Sequence, residues 1–171
     1  MASLSVCLLL DDEADRAVRR LWRRLEDDGV QTLATYTHGR HVPHLTLADV
    51  GVAPLDAVMD VVAGPLAAAR IPVLFGAVGT FTRTRCSLLP AVSPALLDRQ
   101  ADVVEALRGA GLPVGPHYRP GAWLPHLTLG PRLSAEALPR VARRCYEVLP
   151  LAATLGRPTV IDTTAGELHP L

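Results

Sequence analysis

The pentapeptide Pro43-His44-Leu45-Thr46-Leu47 recurs unchanged as Pro125-His126-Leu127-Thr128-Leu129, 82 residues further on (43 to 125) in a chain of 171. A repeat at about half the chain length constrains the fold to two related halves. Each copy alternates polar and apolar side chains, the period of a half-buried strand, so His and Thr share one face and the leucines take the other. At a rise of roughly 3.3 Å per residue, the two polar groups of each copy stand about 6.5 to 7 Å apart along the strand. Pairing the halves about a pseudo-two-fold axis places two imidazoles and two hydroxyls around one cleft, a set suited to a phosphate. A purely structural repeat keeps its apolar positions and lets the polar ones drift. Here the polar pair recurs on the face that core packing does not dictate.

These residues resemble the two HxTx signatures of the two-histidine (2H) phosphoesterase superfamily, in the branch of bacterial 2'-5' RNA ligases and 2',3'-cyclic nucleotide phosphodiesterases. The resemblance implies an α+β fold of two lobes, with two antiparallel sheets lining a central groove, helices outside, and residues 1–171 forming one domain. It implies a metal-independent phosphoesterase that acts on the 2',3'-cyclic phosphate of a nucleotide or RNA terminus, with reversible 2'-5' ligation as a related activity. His44 is then the proton donor and His126 the proton acceptor, while Thr46 and Thr128 hold the phosphate. The two copies are identical, so the residues alone leave the order of acid and base open. Many relatives carry a basic residue just past the second motif. Arg132 stands there, although Gly130-Pro131 intervene.

Composition bounds the partners. Arginine plus lysine and aspartate plus glutamate both number 17, so no basic excess points to a long nucleic-acid footprint. Cys7, Cys86 and Cys145 are far apart and lack C-x-x-C spacing, which suggests neither a disulfide framework nor a thiolate metal site. The apolar run Leu4 to Leu10 has no basic segment before it and meets Asp11-Asp12-Glu13 at once, unlike a signal peptide. No apolar stretch is long enough to span a bilayer. The expectation is a cytoplasmic monomer without a membrane partner.

Taken in order, Leu4 to Leu10 predicts a buried strand and Asp11-Asp12-Glu13 opens an amphipathic helix ending at Gly29. Arg16, Arg19, Arg20, Arg23 and Arg24 on that helix are interleaved with acids and form a solvated face. Gln31 to Thr37 is expected as a strand, His38-Gly39-Arg40-His41 as a turn, and Val42 to Val50 as the first motif strand. A helix from Pro54 to about Arg70 carries a kink at Gly64-Pro65. Ile71 to Phe81 and Arg85 to Pro90 form a hairpin about Thr82-Arg83-Thr84, where the facing of Arg83 and Arg85 is undetermined. Ser93-Pro94 caps and opens a helix to Gly109 or Gly111. Leu112 to Gly121 is an ordered loop in which Tyr118 is a candidate base-stacking platform and Arg119 a candidate phosphate donor. Trp123 to Gly130 is the second motif strand, and Ser134 caps a fourth helix that Pro139 delays. Two short strands, Ala152 to Leu155 and Thr159 to Thr163, precede a loosely held end from Ala165.

The chemistry follows from the pair of imidazoles. Opening a cyclic phosphodiester takes a base on the water side of phosphorus and an acid on the leaving oxygen. Histidines, with unperturbed pKa values near ~6.5, suit both tasks. Hydroxyl donors to the non-bridging oxygens stabilise the charge of the transition state. A metal hydrolase lacks its ligands, because the motifs supply two histidines and no third His, Asp or Glu on the same strand face. No cofactor is expected. A nucleotide- or RNA-end-binding module without turnover is the alternative from another class.

Overall fold

A computed structural model describes residues 3–67, 70–81 and 85–171. The elements are β1 (Ser3–Leu10), α1 (Asp12–Asp27), β2 (His44–Val52), α2 (Leu55–Leu66), β3 (Ile71–Phe81), β4 (Arg85–Pro90), α3 (Pro94–Gly109), β5 (Leu127–Gly130), α4 (Leu138–Tyr146), β6 (Leu151–Asp162) and β7 (Glu167–Pro170). The chain is α+β, and every strand pair is antiparallel. Read as a duplication, β1-α1-β2-α2-β3 is followed by β4-α3-β5-α4-β6. The repeat extends to the caps. Asp11 accepts from the backbone of Glu13 and Ala14 at the start of α1, and Ser93, also 82 residues on (11 to 93), accepts from Leu96 at the start of α3.

The strand order β2-β1-β6-β3-β4-β5 shows how the halves are joined. The third strand of each half leaves its own unit: β6 pairs with β1 of the first half, and β3 pairs with β4 of the second. At the centre β3 and β6 pair with each other from Ile71 opposite Leu155 to Phe75 opposite Leu151. The two expected sheets are therefore hydrogen-bonded through β6 into one seven-stranded sheet. Although β2 and β5 lie at opposite ends of this order, the sheet curls so that they approach each other.

One face of the sheet is the core. Leu4, Val6, Leu8 and Leu10 of β1 and Leu45 and Leu47 of β2 pack with Ala14, Val18, Leu21, Trp22 and Leu25 of α1. Each large side chain fully buried there stabilises the fold by about 1.5–3 kcal/mol. α1 and α4 lie together, closed by Arg144 on Asp28 and Glu147 and by Arg24 on Glu147.

Several expectations need correction. The segment from Gln31 to Thr37 forms turns, because its threonines bond locally: Thr32 and Thr35 donate to Glu26, and Thr32 accepts from the Ala34 amide. α2 continues through Pro65 and ends at Leu66, short of Arg70. Gly156-Arg157-Pro158 does not split the last strand, since a bulge between Leu8 and Leu9 absorbs the irregularity and Pro158 keeps its place opposite Leu8. Ser134 makes no side-chain cap, and α4 starts at Leu138 with Pro139 in its first turn. The end of the chain is β7 rather than a loose tail. Asp162 accepts from the Thr164 and Ala165 amides and Gly166 takes φ 73°, which turns the chain back along β6. No helix among the described residues is long and apolar enough to cross a membrane.

Candidate functional site

The two motifs face each other across the sheet ends that curl together. Leu45, Leu47, Leu127 and Leu129 are buried in the core, while His44, Thr46, His126 and Thr128 are half-buried on the opposite face. His44 stands in β2 opposite Leu9, and His126 immediately precedes β5. The expected strand from Trp123 is shorter because Pro125 has no amide to donate to a ladder.

Both histidines are held the same way. His44 Nδ1 lies 2.7 Å from the Val42 carbonyl and His126 Nδ1 lies 2.8 Å from the Leu124 carbonyl. A carbonyl only accepts, so each Nδ1 carries the proton and each Nε2 is left for chemistry. The buried Pro43 and Pro125 between each carbonyl and its imidazole keep the local backbone extended, which brings the two-residue-earlier carbonyl within reach. The proline of the duplicated pentapeptide thus has a geometric role.

Burial holds the His44 imidazole below its ordinary pKa, the bond to Val42 opposes this, and the charge of His126 lowers it again. Burial also lowers His126, the bond to Leu124 opposes, and the Arg85 guanidinium lowers it further. Each ring therefore releases a proton more readily than free histidine. The mutual repulsion disfavours double protonation and sets the pair up for opposite states.

Arg85 is the residue whose direction the sequence left open. Its charge acts on both His126 and Tyr118, which locates it beside the second motif, and Phe81, its cross-strand partner, sets its ring 4.8 Å from that of His126. The strand alternation of β4 could have indicated this facing, had its register with β5 been readable. Arg83 lies outside the described residues.

Helix α3 and the loop before β5 are tied to β2 by three bonds. Trp123 Nε1 donates to the Thr46 carbonyl at 3.1 Å, Gln100 Nε2 to the Leu47 carbonyl at 3.2 Å, and the Gly115 amide to the Asp49 carbonyl at 2.7 Å. Tyr118 sits in a short turn, Pro116–Tyr118, and its phenol contacts the Thr46 side chain. Arg119, by contrast, is exposed and lines a surface hollow with Arg108, Gly111, Leu112 and Val114. Arg132 is exposed two residues past the end of β5. The structure thus gathers His44, Thr46, Tyr118, His126 and Thr128 and adds Arg85, while Arg119 lies apart with the hollow.

His38 and His41 are loop residues, as their sequence context suggested. Their ring centroids lie 4.1 Å apart with the planes tilted by 36°, and burial together with the charges of His38 and His44 pushes His41 down to about 4. Among the described residues no three His, Cys, Asp or Glu side chains converge as metal ligands.

A duplicated, strand-exchanged sheet that carries one His-x-Thr from each half on sheet ends that approach each other defines the class. The chain belongs to the 2'-5' RNA ligase superfamily, whose family model matches residues 10–167; these are two-histidine phosphoesterases. Among solved structures it is similar to Escherichia coli LigT in its apo form, with TM-score 0.66, 15% identity, and 99% of this chain and 94% of that chain covered. LigT complexed with 3'-AMP gives TM-score 0.66 at 15% identity, covering 99% of this chain and 95% of that one. Kluyveromyces marxianus Usb1 with uridine monophosphate gives TM-score 0.51 at 13% identity, covering 99% of each chain. No curated protein is similar enough in sequence to serve as a relative.

Proposed function

We propose that the chain hydrolyses the 2',3'-cyclic phosphate of a nucleotide or RNA terminus without a metal, and that 2'-5' ligation is the same ring opening with a 5'-hydroxyl in place of water. The observation that carries this reading is the identical clamping of His44 and His126, which leaves two Nε2 atoms of mutually dependent charge on the strand faces that also carry Thr46 and Thr128. His126 acts as the base: the Arg85 charge beside it favours the neutral ring, so its Nε2 takes a proton from water as the oxygen attacks phosphorus. The bond from phosphorus to one ribose oxygen breaks, and that oxygen takes the proton from His44 Nε2. Thr46 and Thr128 donate to the non-bridging oxygens, and Arg85 balances their charge. The ligand is a small nucleotide, as in the LigT complex with 3'-AMP.

Turnover of 2',3'-cyclic nucleotides tests the reading. His44→Ala and His126→Ala are each expected to lower kcat by about 10² to 10⁴, and the double variant to lose far less than the product, because an acid without its base accomplishes little. Activity is expected to survive exhaustive chelation. Full activity in either single variant, or loss with EDTA and recovery with a divalent cation, contradicts the mechanism. A wild type that binds nucleotide without turnover supports the binding-module alternative.

A further inference from the structure

The two motif threonines are identical in sequence and unequal in their surroundings. Thr46 Oγ1 lies 3.6 Å from Cys7 Sγ on the neighbouring strand. The Tyr118 phenol contacts the same side chain from the other half of the molecule. Burial pushes both neighbours up to about 12, so each remains a neutral hydrogen-bonding group wherever histidine chemistry operates. Thr128 instead stands opposite Ser87, whose buried hydroxyl has no hydrogen-bond partner among the described residues.

The placement of Tyr118 is built rather than incidental. Gln100, buried on α3, donates from one amide nitrogen to the Tyr118 carbonyl at 2.7 Å and to the Leu47 carbonyl at 3.2 Å, which locks the tyrosine beside the residue following Thr46. Trp123 fixes the carbonyl of Thr46 itself. The Gly115 amide donates to the Asp49 carbonyl at 2.7 Å, which holds the start of the same turn against β2. The Gln100 bond to Leu47 and the Trp123 bond to Thr46 both run from the second half of the chain to β2 of the first.

We infer that Tyr118 is a positioning residue: its phenol, with the Cys7 thiol, holds the Thr46 hydroxyl toward the groove, so that Thr46 is a preorganised phosphate donor set by the opposite half. A hydroxyl with two fixed neighbours has few orientations left, and a donor that need not reorganise contributes more to the transition state. A stacking platform is the competing role for this side chain, and it requires the ring alone. The inference rests on the phosphoesterase reading, and Tyr118→Phe separates the two roles because it keeps the ring and removes the hydroxyl.

Steady-state kinetics on a 2',3'-cyclic nucleotide should show kcat lowered about 3- to 10-fold in Tyr118→Phe with KM little changed, the scale of one lost hydrogen bond. Thr46→Ala should cost on the order of 10², and Tyr118→Phe added to Thr46→Ala should cost nothing further. Full activity in Tyr118→Phe, or an effect that persists undiminished in the Thr46→Ala background, overturns the inference. A readout without turnover keeps this apart from failure of the phosphoesterase reading: calorimetric binding of inorganic phosphate should weaken in Tyr118→Phe and in Thr46→Ala, and no more in the double variant. Unchanged phosphate binding in a Tyr118→Phe protein that melts like wild type overturns the positioning role, whatever the catalytic activity.

Discussion

At the scale of single residues, the facing of the motif side chains is set by the alternation of an extended strand. Alternation assigned His44, Thr46, His126 and Thr128 to one face, and the burial of Leu45, Leu47, Leu127 and Leu129 follows from it. Arg85 was not legible, since its direction depends on the register of β4 with β5, a long-range quantity. Its charge beside His126 bears on pH dependence. Both imidazoles sit below the ordinary histidine value in the free protein, chiefly through burial. One must be protonated and the other neutral, so the bell of kcat/KM is expected to centre below about pH 6.5. A bound phosphate is an anion that favours imidazolium and raises both values. The bell of kcat should therefore lie at higher pH than that of kcat/KM. Removing the Arg85 charge in Arg85→Gln should move the His126 limb upward, since a repulsive cation is gone. Profiles of wild type and Arg85→Gln across pH 4 to 9 check both signs; a downward movement contradicts the placement of Arg85.

At the scale of elements, α1 and α3 were readable through their caps, whereas the Ser134 cap expected for α4 does not form. Asp11 and Ser93 announced α1 and α3 to within a residue. Strands and turns were less so, because the partners that decide them are distant in sequence. The threonine-rich segment after α1 has the composition of a strand, yet Glu26 captures its hydroxyls and the backbone turns. This loop has work to do at the other motif: the Leu33 amide donates to the Leu129 carbonyl of β5, just as the Gly115 amide of the corresponding loop donates to Asp49 of β2. Leu33 and Gly115 are again 82 residues apart (33 to 115). Each half thus covers the open edge of the other half's motif strand, the edge that would otherwise recruit another chain. Gly130 marks how close the approach is, for a Cβ there would meet the Gln31 carbonyl at 2.8 Å. Backbone on both sides leaves nothing flexible to give. Gly130→Ala is expected to destabilise the protein by about 1–3 kcal/mol, read as a lower denaturation midpoint with an unchanged denaturant slope; an unaffected midpoint contradicts this packing.

At the scale of the whole molecule, the repeat announced two halves but not their exchange. The hydrophobic pattern of β3 and β6 assigns each to a sheet without saying whose, and only the observed order shows that each completes the other half. A half expressed alone keeps β1 and β2, or β4 and β5, and loses the strand that buries their inner edge. Residues 1–81 lack β6, and residues 85–171 lack β3, so each fragment leaves a long sheet edge and half of the β3–β6 centre unpaired. Because conformational entropy of about 1–2 kcal/mol per residue must be offset by burial, a half-core of this size falls short. We propose that the chain is one cooperative unit of two lobes. The fragments 1–81 and 85–171 should each show no cooperative melt by circular dichroism, and mixing them in equal amounts should restore one transition together with the near-ultraviolet signal of Trp22 and Trp123. Since His44 and His126 reside on different fragments, any phosphoesterase activity should appear only in the mixture. Independent cooperative folding of either fragment would mean that strand exchange is not what holds the sheet together.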